Sequence, residues 1–413
     1  MNTDSVVRAQ PELEAEHAET IRATLPLVGA HIDEITTAFY RRLFGNHPEL
    51  IRDLFNRGNQ AQGSQQRALA ASVAAYATYL VDPQLPHPAA MLSRIGHKHA
   101  SLGITADQYQ VVHDNLFAAI VEVLGADVVT EPVAAAWDRV YWLMADSLID
   151  LEKQLYVSAG VEPGDVFRDA VVVERADDPA GAAIFAVESA DSAAPFPEFL
   201  PGQYVSVGVR LPDGARQLRQ YSLVNNPGDG KLAFAVKRVE PIAGCPAGEV
   251  SSWLHDNLAA GDHLEITLPF GDLTVDTTTT TPLVLISAGI GITPMLSALE
   301  YLAAHDSSRT ILVLHADRTP HTHPLLDRMR ALVGRLDSAT LELWYQDEAG
   351  QARQGLLDLS AVDLPADADF YVCGADGFLD AVRVQLSAAG VSGERVHIEQ
   401  FTPTDWRAGA CPV

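Results

Sequence analysis

Four neighbouring residues, Arg219, Gln220, Tyr221 and Ser222, combine a cation, an aromatic ring and two hydrogen-bonding side chains. On one strand, Arg219 and Tyr221 would point to one side and Gln220 and Ser222 to the other. The set suits a flavin nucleotide, because an arginine pairs with a pyrophosphate, a tyrosine covers a ring or holds a ribitol hydroxyl, and a serine hydrogen-bonds the ring edge. By themselves, the four residues also fit an amphipathic barrel strand with an exposed arginine.

Two flanking segments favour the flavin interpretation. Upstream, Pro201-Gly202-Gln203-Tyr204 ends a turn and opens another strand. Downstream, residues 248–254 predict a loop that enters a helix, where Val250, Ser251 and Ser252 would offer N–H groups and hydroxyls to an anion. Here the chain resembles the ferredoxin reductase family of flavoproteins, in which an arginine-x-tyrosine-serine strand and a glycine-x-valine-serine loop hold FAD. The resemblance makes Tyr204 and the residues of both motifs FAD contacts.

Size and charge bound the kinds of protein that this chain can be. It has 413 residues, of which 47% are hydrophobic, which is enough for two or three domains with large cores. The formal net charge of −26 argues against a nucleic-acid partner, since such binding depends on clusters of Lys and Arg. Small anions must therefore be bound locally, by helix ends and single arginines.

The cysteines and the apolar runs indicate the compartment. Cys245, Cys373 and Cys411 are too few and too scattered for a disulfide framework, a zinc site or an iron–sulfur cluster, and they fit a reducing compartment. The segment 1–17 lacks the apolar core of a secretory signal, and no apolar run reaches the roughly 18 residues of a membrane span. We therefore expect a cytoplasmic protein without stable membrane insertion.

The first third of the chain predicts helices alone. From about Glu12 to Ala159, Ala, Leu and Val recur at three- and four-residue spacing, which predicts six to eight helices in a globin-like or bundle fold. Thr105 to Gln108 fits a capping box, and Thr130 precedes an early helical proline. Helix breaks are predicted at residues 45–48, at a polar loop over residues 57–64, at residues 82–88 and at Gly103.

Some polar and aromatic residues of this third could do chemistry, although each is ordinary by itself. His99 lies on the apolar side of its helix, four residues after Ile95, whereas His97 lies roughly on the other side. Such a histidine is more often a core or edge residue than a ligand. Tyr40 and Phe55 are equally typical of core aromatics, Gln65 of a helix cap and Glu152 of a solvated rim.

In their order along the chain, these residues resemble the globin of the flavohaemoglobin family. The matching positions are Tyr40, Phe55, Gln65, Lys98, His99, Tyr109 and Glu152. The resemblance implies that His99 ligates the iron of haem b, while Glu152 and Tyr109 hydrogen-bond its ring. It places Tyr40 and Gln65 on the oxygen-binding side, where they favour reaction of O2 over simple carriage.

The same resemblance assigns packing and bridging residues. Phe55 and Leu69 would pack against the porphyrin and its ligand. Lys98 would help to bridge the haem and flavin domains, although a solvated lysine explains that position almost as well.

The middle third changes to short alternating runs. The change follows residues 159–164, and Thr277 to Thr281, before Pro282, marks a second boundary. The turns between the runs contain Pro, Gly and Asp, which predicts an antiparallel β-barrel. The predicted strands cover residues 167–175, 182–189, 203–211, 217–224, 232–239 and 263–268.

In the last third, strands alternate with helices, which predicts a parallel sheet covered on both sides. Between the first strand and its helix lie Gly289, Gly291, Thr293 and Pro294, in a turn that lets a pyrophosphate approach the backbone. This glycine-x-glycine-x-threonine-proline turn also resembles the ferredoxin reductase family, where it binds a nicotinamide nucleotide. The predicted strands cover residues 283–287, 311–315, 341–345, 370–373 and 396–401.

Two more segments match that family. Cys373-Gly374 corresponds to its turn near the reacting nicotinamide, although a small residue that ends a buried strand explains Cys373 about as well. Glu399 and Phe401 match the flavin-contacting C-terminal segment, with Phe401 as the ring that stacks on the flavin. Asp317 and Arg318 leave the choice between NADH and NADPH open, because the acid favours a ribose diol and the arginine a 2′-phosphate.

The resemblance spans about residues 12–401 and implies a multi-domain protein. We expect an all-α globin haem domain over 12–159, an antiparallel β-barrel FAD domain over 163–276 and an α/β NAD(P)-binding domain over 282–413. The implied activity is that of an NAD(P)H-dependent nitric oxide dioxygenase acting on NO and O2, with no obligatory protein partner. The alternatives are a peroxide reductase or an organic-acid dehydrogenase on the same scaffold, or an O2 or NO sensor, which would need an output module.

Overall fold

The structure is a computed structural model that describes residues 12–61, 63–82, 84–85, 87–241, 246–305 and 307–401. Several sequence predictions fall partly or wholly outside these residues. They concern residues 1–11 of the N-terminal segment, residues 83 and 86 of one helix break, Cys245, Cys411, and residues 402–413 of the third predicted domain.

Residues 12–158, which we call the helical part, contain eight helices among the residues that the structure describes. They are α1 (Ala15–Ala30), α2 (Ile32–Asn46), α3 (Pro48–Asp53), α4 (Arg57–Ala61), α5 (Ser64–Val81), α6 (Ala89–Ser101), α7 (Ala106–Leu124) and α8 (Glu131–Ser158). Their apolar faces enclose one core, in which Phe39, Leu43 and Tyr76 are fully buried. The prediction of an all-α first third is confirmed.

One local prediction in this part is wrong. Residues 57–64 were expected to form a polar loop, but Arg57–Ala61 forms the helix α4 and Ser64 begins α5. The sequence pattern did not predict this helix, because Arg57 at its start bonds to Asp213 and Glu249, which lie far along the chain. The capping box at α7 is confirmed, since Gln108 Oε1 accepts a hydrogen bond from Thr105 N at 3.0 Å.

The barrel part follows, with six antiparallel strands and one helix. They are β1 (Phe167–Asp177), β2 (Ala182–Ser189), β3 (Tyr204–Arg210), β4 (Arg216–Ser222), β5 (Leu232–Lys237), α9 (Glu249–Asn257) and β6 (His263–Thr267). The strand order is β4-β3-β6-β1-β2-β5, and a bridge between Leu223 and Phe234 joins the two edges. This closure leaves a barrel, as the alternating pattern predicts.

The parallel-sheet part completes the described chain. Its elements are β7 (Leu283–Ala288), α10 (Thr293–Ala304), β8 (Ile311–Asp317), α11 (Leu326–Val333), β9 (Ala339–Tyr345), β10 (Arg353–Gln354), β11 (Asp369–Gly374), α12 (Asp376–Ala388) and β12 (Val396–Gln400). The strand order is β10-β9-β8-β7-β11-β12, and every pairing is parallel. Separate apolar clusters cover the two faces, which confirms the predicted α/β architecture.

Among the residues described, no helix combines the length and the apolar character that crossing a membrane would require.

Candidate functional site

A continuous cavity of about 1710 Å³ connects the three parts of the protein. It begins among the helices at His99 and Tyr40, passes the β4 residues and ends at Phe401, at the carboxyl end of the parallel sheet. The predicted site residues that line it are Tyr40, Phe55, Gln65, Leu69, Lys98, His99, Tyr109, Tyr204, Arg219, Gln220, Tyr221, Ser222, Val250, Ser251, Thr293, Glu399 and Phe401. The chain thus brings residues more than 300 positions apart to one space.

On one wall of the helical cavity, His99 is held by two hydrogen-bonding partners. Its Nδ1 lies 2.8 Å from Glu152 Oε1 and 3.0 Å from the Tyr109 hydroxyl. The Tyr109 hydroxyl donates to the same Glu152 oxygen at 2.6 Å. Since Nδ1 is engaged, Nε2 is the ring nitrogen left for a metal ion.

Glu152 itself does not line the cavity and is only 2% exposed. The interpretation of Glu152 as a solvated rim residue is therefore wrong. Burial, together with the nearby Glu152 carboxylate, raises the pKa of Tyr109 far above its usual value. The phenol therefore stays protonated and acts as a hydrogen-bond donor.

The opposite wall carries the tyrosine and glutamine of the predicted distal side. Tyr40 is buried, and its hydroxyl lies 3.5 Å from the Gln65 backbone oxygen. Burial raises the pKa of Tyr40 far above the usual value, against the opposing effect of a hydrogen bond with Gln60. Gln60 Nε2 also donates to Gln65 Oε1 at 2.8 Å. Gln60 is thus a member of this network that the sequence did not reveal.

Aromatic rings close this side of the cavity. The ring of Phe55 lies edge-on to Tyr40 at 6.0 Å and to Phe44 at 5.3 Å between centroids. Leu69 lines the same space one turn along α5 from Gln65. Such contacts hold the buried Tyr40 ring among apolar side chains.

The helix α6, which carries His99, also contacts the other two parts of the protein. His97 Nδ1 accepts a hydrogen bond from Gly271 N at 3.0 Å, and burial lowers the pKa of His97, so the ring stays neutral. Arg94 Nη2 donates to the Ile398 carbonyl at 2.7 Å. One face of α6 therefore meets the cavity while its other contacts orient it against the barrel and the parallel sheet.

Strand β4 lines the part of the cavity where the sequence predicts a flavin. The four residues Arg219 to Ser222 all line it, and Ser222 Oγ is buried without a hydrogen-bond partner among the described residues. Tyr221 stacks on Phe234 with centroids 5.5 Å apart. Gly248 precedes α9. In the first turn of this helix, Val250 and Ser251 line the cavity, whereas Ser252 does not.

Two ionisable side chains also line the cavity, Lys98 on α6 and Glu399 on β12. Burial and the nearby positive charge of Arg219 lower the pKa of Lys98. Burial and the Asp272 carboxylate raise the pKa of Glu399 to about 8, and Glu399 Oε2 has no hydrogen-bond partner among the residues described. The buried Tyr204 lies beside them, with its pKa raised by burial.

The predicted nicotinamide residues lie next to the cavity, where the glycine turn packs closely against the backbone of β11. A Cβ on Gly291 would lie 2.5 Å from the Cys373 carbonyl oxygen, so only glycine permits this approach of the turn to β11. Gly289 has φ of +54° and starts the same turn. Thr293 lines the cavity, whereas Gly289, Gly291, Pro294, Cys373 and Gly374 do not.

Cys373 is fully buried, and burial raises its pKa well above the usual value. A thiol that keeps its proton inside the sheet is a poor nucleophile, which favours the structural interpretation of this residue over a chemical one.

Comparison with known proteins agrees with this architecture. A family model described as Globin matches residues 37–148, and one described as Oxidoreductase NAD-binding domain matches residues 285–384. A globin joined in one chain to an NAD-binding oxidoreductase is therefore the class of protein that the fold and the cavity define. It is an NAD(P)H-dependent oxidoreductase.

The relatives give the family. The chain is 40% identical to the flavohemoprotein of Bordetella parapertussis, over 94% of this chain and 98% of that one, and 36% identical to that of Rhizobium meliloti, over 93% and 97%. It is similar to the crystal structure of the flavohemoglobin from Malassezia yamatoensis with bound FAD and heme, with a TM-score of 0.87, 34% identity and coverage of 95% and 100%. The chain belongs to the flavohaemoglobin family.

A further solved structure matches the barrel and parallel-sheet parts. It is the FAD/NAD-binding domain of the nitric oxide dioxygenase from Vibrio cholerae, with a TM-score of 0.53 and 34% identity, over 56% of this chain and 97% of that one.

Proposed function

We propose that this chain is a nitric oxide dioxygenase that converts NO and O2 to nitrate at a haem b, which NAD(P)H re-reduces through FAD. The observation that carries the proposal is the single cavity that joins His99 and Tyr40 to Arg219 and Phe401. The named activity of the V. cholerae relative supports it, as do the FAD and heme of the M. yamatoensis protein. The division into domains at 12–159, 163–276 and 282–413 and a cytoplasmic location are part of this proposal.

The residues present fit both cofactors. A histidine with one nitrogen fixed and the other free, in an apolar helical cavity, suits a haem. The unpartnered Ser222 Oγ, the Arg219 guanidinium and the start of α9 suit a flavin dinucleotide. When bound, the haem supplies an iron that takes O2 in its reduced state, and FAD turns one hydride into single-electron transfers.

On the proximal side, the protein holds one imidazole in a fixed orientation. Glu152 accepts hydrogen bonds from His99 Nδ1 and from the Tyr109 hydroxyl, and its burial makes both bonds stronger than they would be in water. The carboxylate therefore fixes the ring orientation and raises the basicity of Nε2.

On the distal side, the protein supplies a hydroxyl group that donates a hydrogen bond and stays protonated. The raised pKa of Tyr40 keeps the hydroxyl protonated at any physiological pH, so it can donate a hydrogen bond to a partly negative ligand. Gln65 is a second candidate donor, and the rings of Phe44 and Phe55 keep the space apolar.

On the flavin and nicotinamide sides, the roles concern binding and orientation. Arg219 and the first turn of α9 would hold the FAD pyrophosphate, with Tyr204, Gln220 and Tyr221 beside the nucleotide. The Gly289–Ile292 turn and the start of α10 would hold the nicotinamide nucleotide. Phe401 is 42% exposed at the end of the cavity, where it would cover the flavin ring and move aside for hydride transfer.

The experiment that tests the proposal measures nitrate. Purified protein loaded with haem and FAD receives NADH and pulses of NO in air, and we expect each NADH oxidised to yield two nitrate ions, because each NO needs one electron. The same preparation is assayed with hydrogen peroxide in place of NO. Little nitrate would contradict the dioxygenase. Faster NADH oxidation with peroxide than with NO would favour a peroxide reductase.

A further inference from the structure

The connection between α3 and α4 is fixed by a residue of the barrel part. Gln217 on β4 is 0% exposed, and its Nε2 lies 3.3 Å from the Ile51 carbonyl oxygen, 3.1 Å from that of Arg52 and 3.2 Å from that of Phe55. Its Oε1 accepts a hydrogen bond from the backbone N of Arg57 at 3.3 Å. One side-chain amide thus serves both the end of α3 and the start of α4.

These bonds matter because helix ends leave backbone groups without partners inside the helix. Buried groups of that kind cost free energy when they stay unpaired. Gln217 supplies the missing partners from another part of the protein, so the position of α4 depends on β4. This also explains why the polar sequence of residues 57–61 forms a helix.

The Arg57 side chain makes a second link to the barrel. Its Nη1 lies 2.6 Å from Asp213 Oδ2, in the loop between β3 and β4, and its Nη2 lies 2.8 Å from Glu249 Oε1, at the first residue of α9. The Arg57 side chain is 28% exposed and the two carboxylates more so, so each ion pair contributes little stability. The fork shape of the guanidinium nevertheless fixes α4 in direction against two barrel segments.

The helix that is fixed in this way carries Gln60. Gln60 lies three positions after Arg57, which is just under one helical turn. Gln60 Nε2 donates to Gln65 Oε1 at 2.8 Å, and the Gln65 backbone oxygen accepts from the Tyr40 hydroxyl at 3.5 Å. A shift of α4 would therefore move the hydrogen-bonding groups on the distal side of the cavity.

The other end of the link reaches the flavin side. Arg219 Nη1 lies 3.4 Å from the same Gln217 Oε1 that accepts from Arg57 N. Arg219 is the candidate partner of the FAD pyrophosphate. The amide of Gln217 therefore lies between Arg219, the proposed pyrophosphate partner on β4, and the helix α4 that carries Gln60.

We propose that Arg57 and Gln217 are positioning residues, through which the flavin-binding strand β4 sets the distal hydrogen bonds of Gln60, Gln65 and Tyr40. Neither residue touches the haem or its ligand in this account; both act through α4. The inference rests on the proposed function only in taking the Tyr40 side of the cavity as the place where the haem ligand binds.

The test compares Arg57→Ala with the wild type as full-length protein carrying haem and FAD. We expect O2 to dissociate from the reduced haem about three- to tenfold faster, on the order of the loss of part of one hydrogen bond. The C–O stretching band of the CO complex, which reports hydrogen bonding on the ligand side, should shift. This band does not depend on NO turnover, so its result is independent of the nitrate assay. The proposed activity can fail while this inference holds, and this inference can fail while the proposed activity holds.

The double variant Asp213→Asn with Glu249→Gln breaks the same contact from the barrel side and leaves the helical part unaltered. We expect the same direction of change in O2 dissociation and CO band, and faster hydrogen–deuterium exchange in residues 51–61. Flavin content is measured in each protein to show that the barrel is intact. The control is Arg139→Ala, which removes an ion pair to Glu14 within the helical part and should change neither reading.

Two results would overturn the proposal. If Arg57→Ala leaves both O2 dissociation and the CO band unchanged, the contacts of the Arg57 side chain do not set the distal hydrogen bonds, and the proposal is wrong for Arg57. If Arg57→Ala changes them but the double variant does not, Arg57 acts within the helical part alone and the link to β4 is wrong. Should Arg57→Ala fold poorly, Arg57→Gln with the same readings decides between these outcomes.

Discussion

At the scale of single residues, the chemistry of this protein lies in polar groups that are buried together. Glu152 and Tyr109 are good examples, because both are less than 10% exposed and both engage the one nitrogen of His99. A buried carboxylate of this kind is stable only when its partners are present. The pair therefore makes sense as part of a ligand site and not as a stabilising feature of the helical core.

Replacing His99 by alanine tests the proximal assignment. We expect the protein to lose most of its haem, because the variant lacks the imidazole proposed to bind the iron, while the proposed FAD site around β4 keeps its flavin. The measurement is the ratio of haem to FAD in the purified variant, from the Soret and flavin absorbance after extraction. Replacing His113, which bonds Asp138 of α8 and does not line the cavity, is the matched control and should leave that ratio unchanged. Full haem retention in His99→Ala would refute the assignment.

Replacing Tyr40 by phenylalanine tests the distal assignment. The variant keeps the ring contacts with Phe39, Phe44 and Phe55 but loses the hydroxyl. We expect O2 binding to weaken by about 1 to 3 kcal/mol, which corresponds to about 5- to 150-fold faster dissociation. Laser photolysis or stopped-flow displacement of O2 by CO measures this rate. An unchanged rate would show that the Tyr40 hydroxyl does not meet the ligand.

Residues could be assigned from the sequence when their type and order were distinctive, and not when their role depends on a partner far along the chain. The residues Tyr40, His99 and Tyr109 were found from order alone, and the structure brings them to one cavity. Gln60 and Gln217 were missed, because each is one polar residue among several. Only contacts across about 160 positions in sequence distinguish Gln217.

At the scale of elements, α6 and β4 each serve two sides. The helix α6 presents His99 to the cavity and uses Arg94 and His97 to reach the other two parts. The strand β4 lines the flavin side with Arg219 to Ser222 and fixes the α3–α4 connection with Gln217. A movement of either element would therefore displace residues in both the helical part and the barrel part.

A buried histidine pair in the parallel sheet makes a prediction about pH. His315 at the end of β8 stacks on His323 with centroids 3.7 Å apart, and their Nδ1 atoms bond Ser287 and Tyr345. Burial, with the neighbouring His315, lowers the pKa of His323 from 6.5 to about 2. Between these values the unfolded chain binds a proton that the folded protein does not, so stability falls as the pH drops below 6.5.

The loss from His323 should approach about 1.4 kcal/mol for each pH unit below its unfolded pKa. We expect the wild type to lose more stability than His323→Asn between about pH 7 and pH 5.5, whatever their difference at neutral pH. Scanning calorimetry of both proteins at the two pH values measures the change for the parallel-sheet transition. The same acid sensitivity in both proteins would show that this histidine is protonated when folded.

Element types could be predicted well from period and turn residues, because strands and helices of these lengths follow local rules. The barrel strand at residues 182–189 and the helices of residues 12–158 other than α4 are confirmed in type. The helix α4 could not be predicted, since Gln217 and the two carboxylates that fix it come from the barrel. The two-residue strand β10 was also missed, being too short for any pattern.

At the scale of the whole molecule, the cavity is what relates the three parts to one another. Its volume of about 1710 Å³ is larger than an ordinary small-molecule site, as expected for a space shared by two cofactors and one nucleotide. Lys98 on α6, Tyr204 on β3 and Glu399 on β12 all line it, so each of the three parts contributes to the same space. The architecture therefore favours electron transfer within one chain over electron transfer between separate proteins.

The measurement that tests this account most directly is rapid anaerobic mixing of the oxidised protein, loaded with haem and FAD, with NADH. We predict that the flavin absorbance is bleached first and the Soret band then shifts to that of reduced haem, at a rate that does not change when the protein is diluted. A haem that stays oxidised beside a reduced flavin, or a haem reduction rate that rises in proportion to protein concentration, would contradict the account.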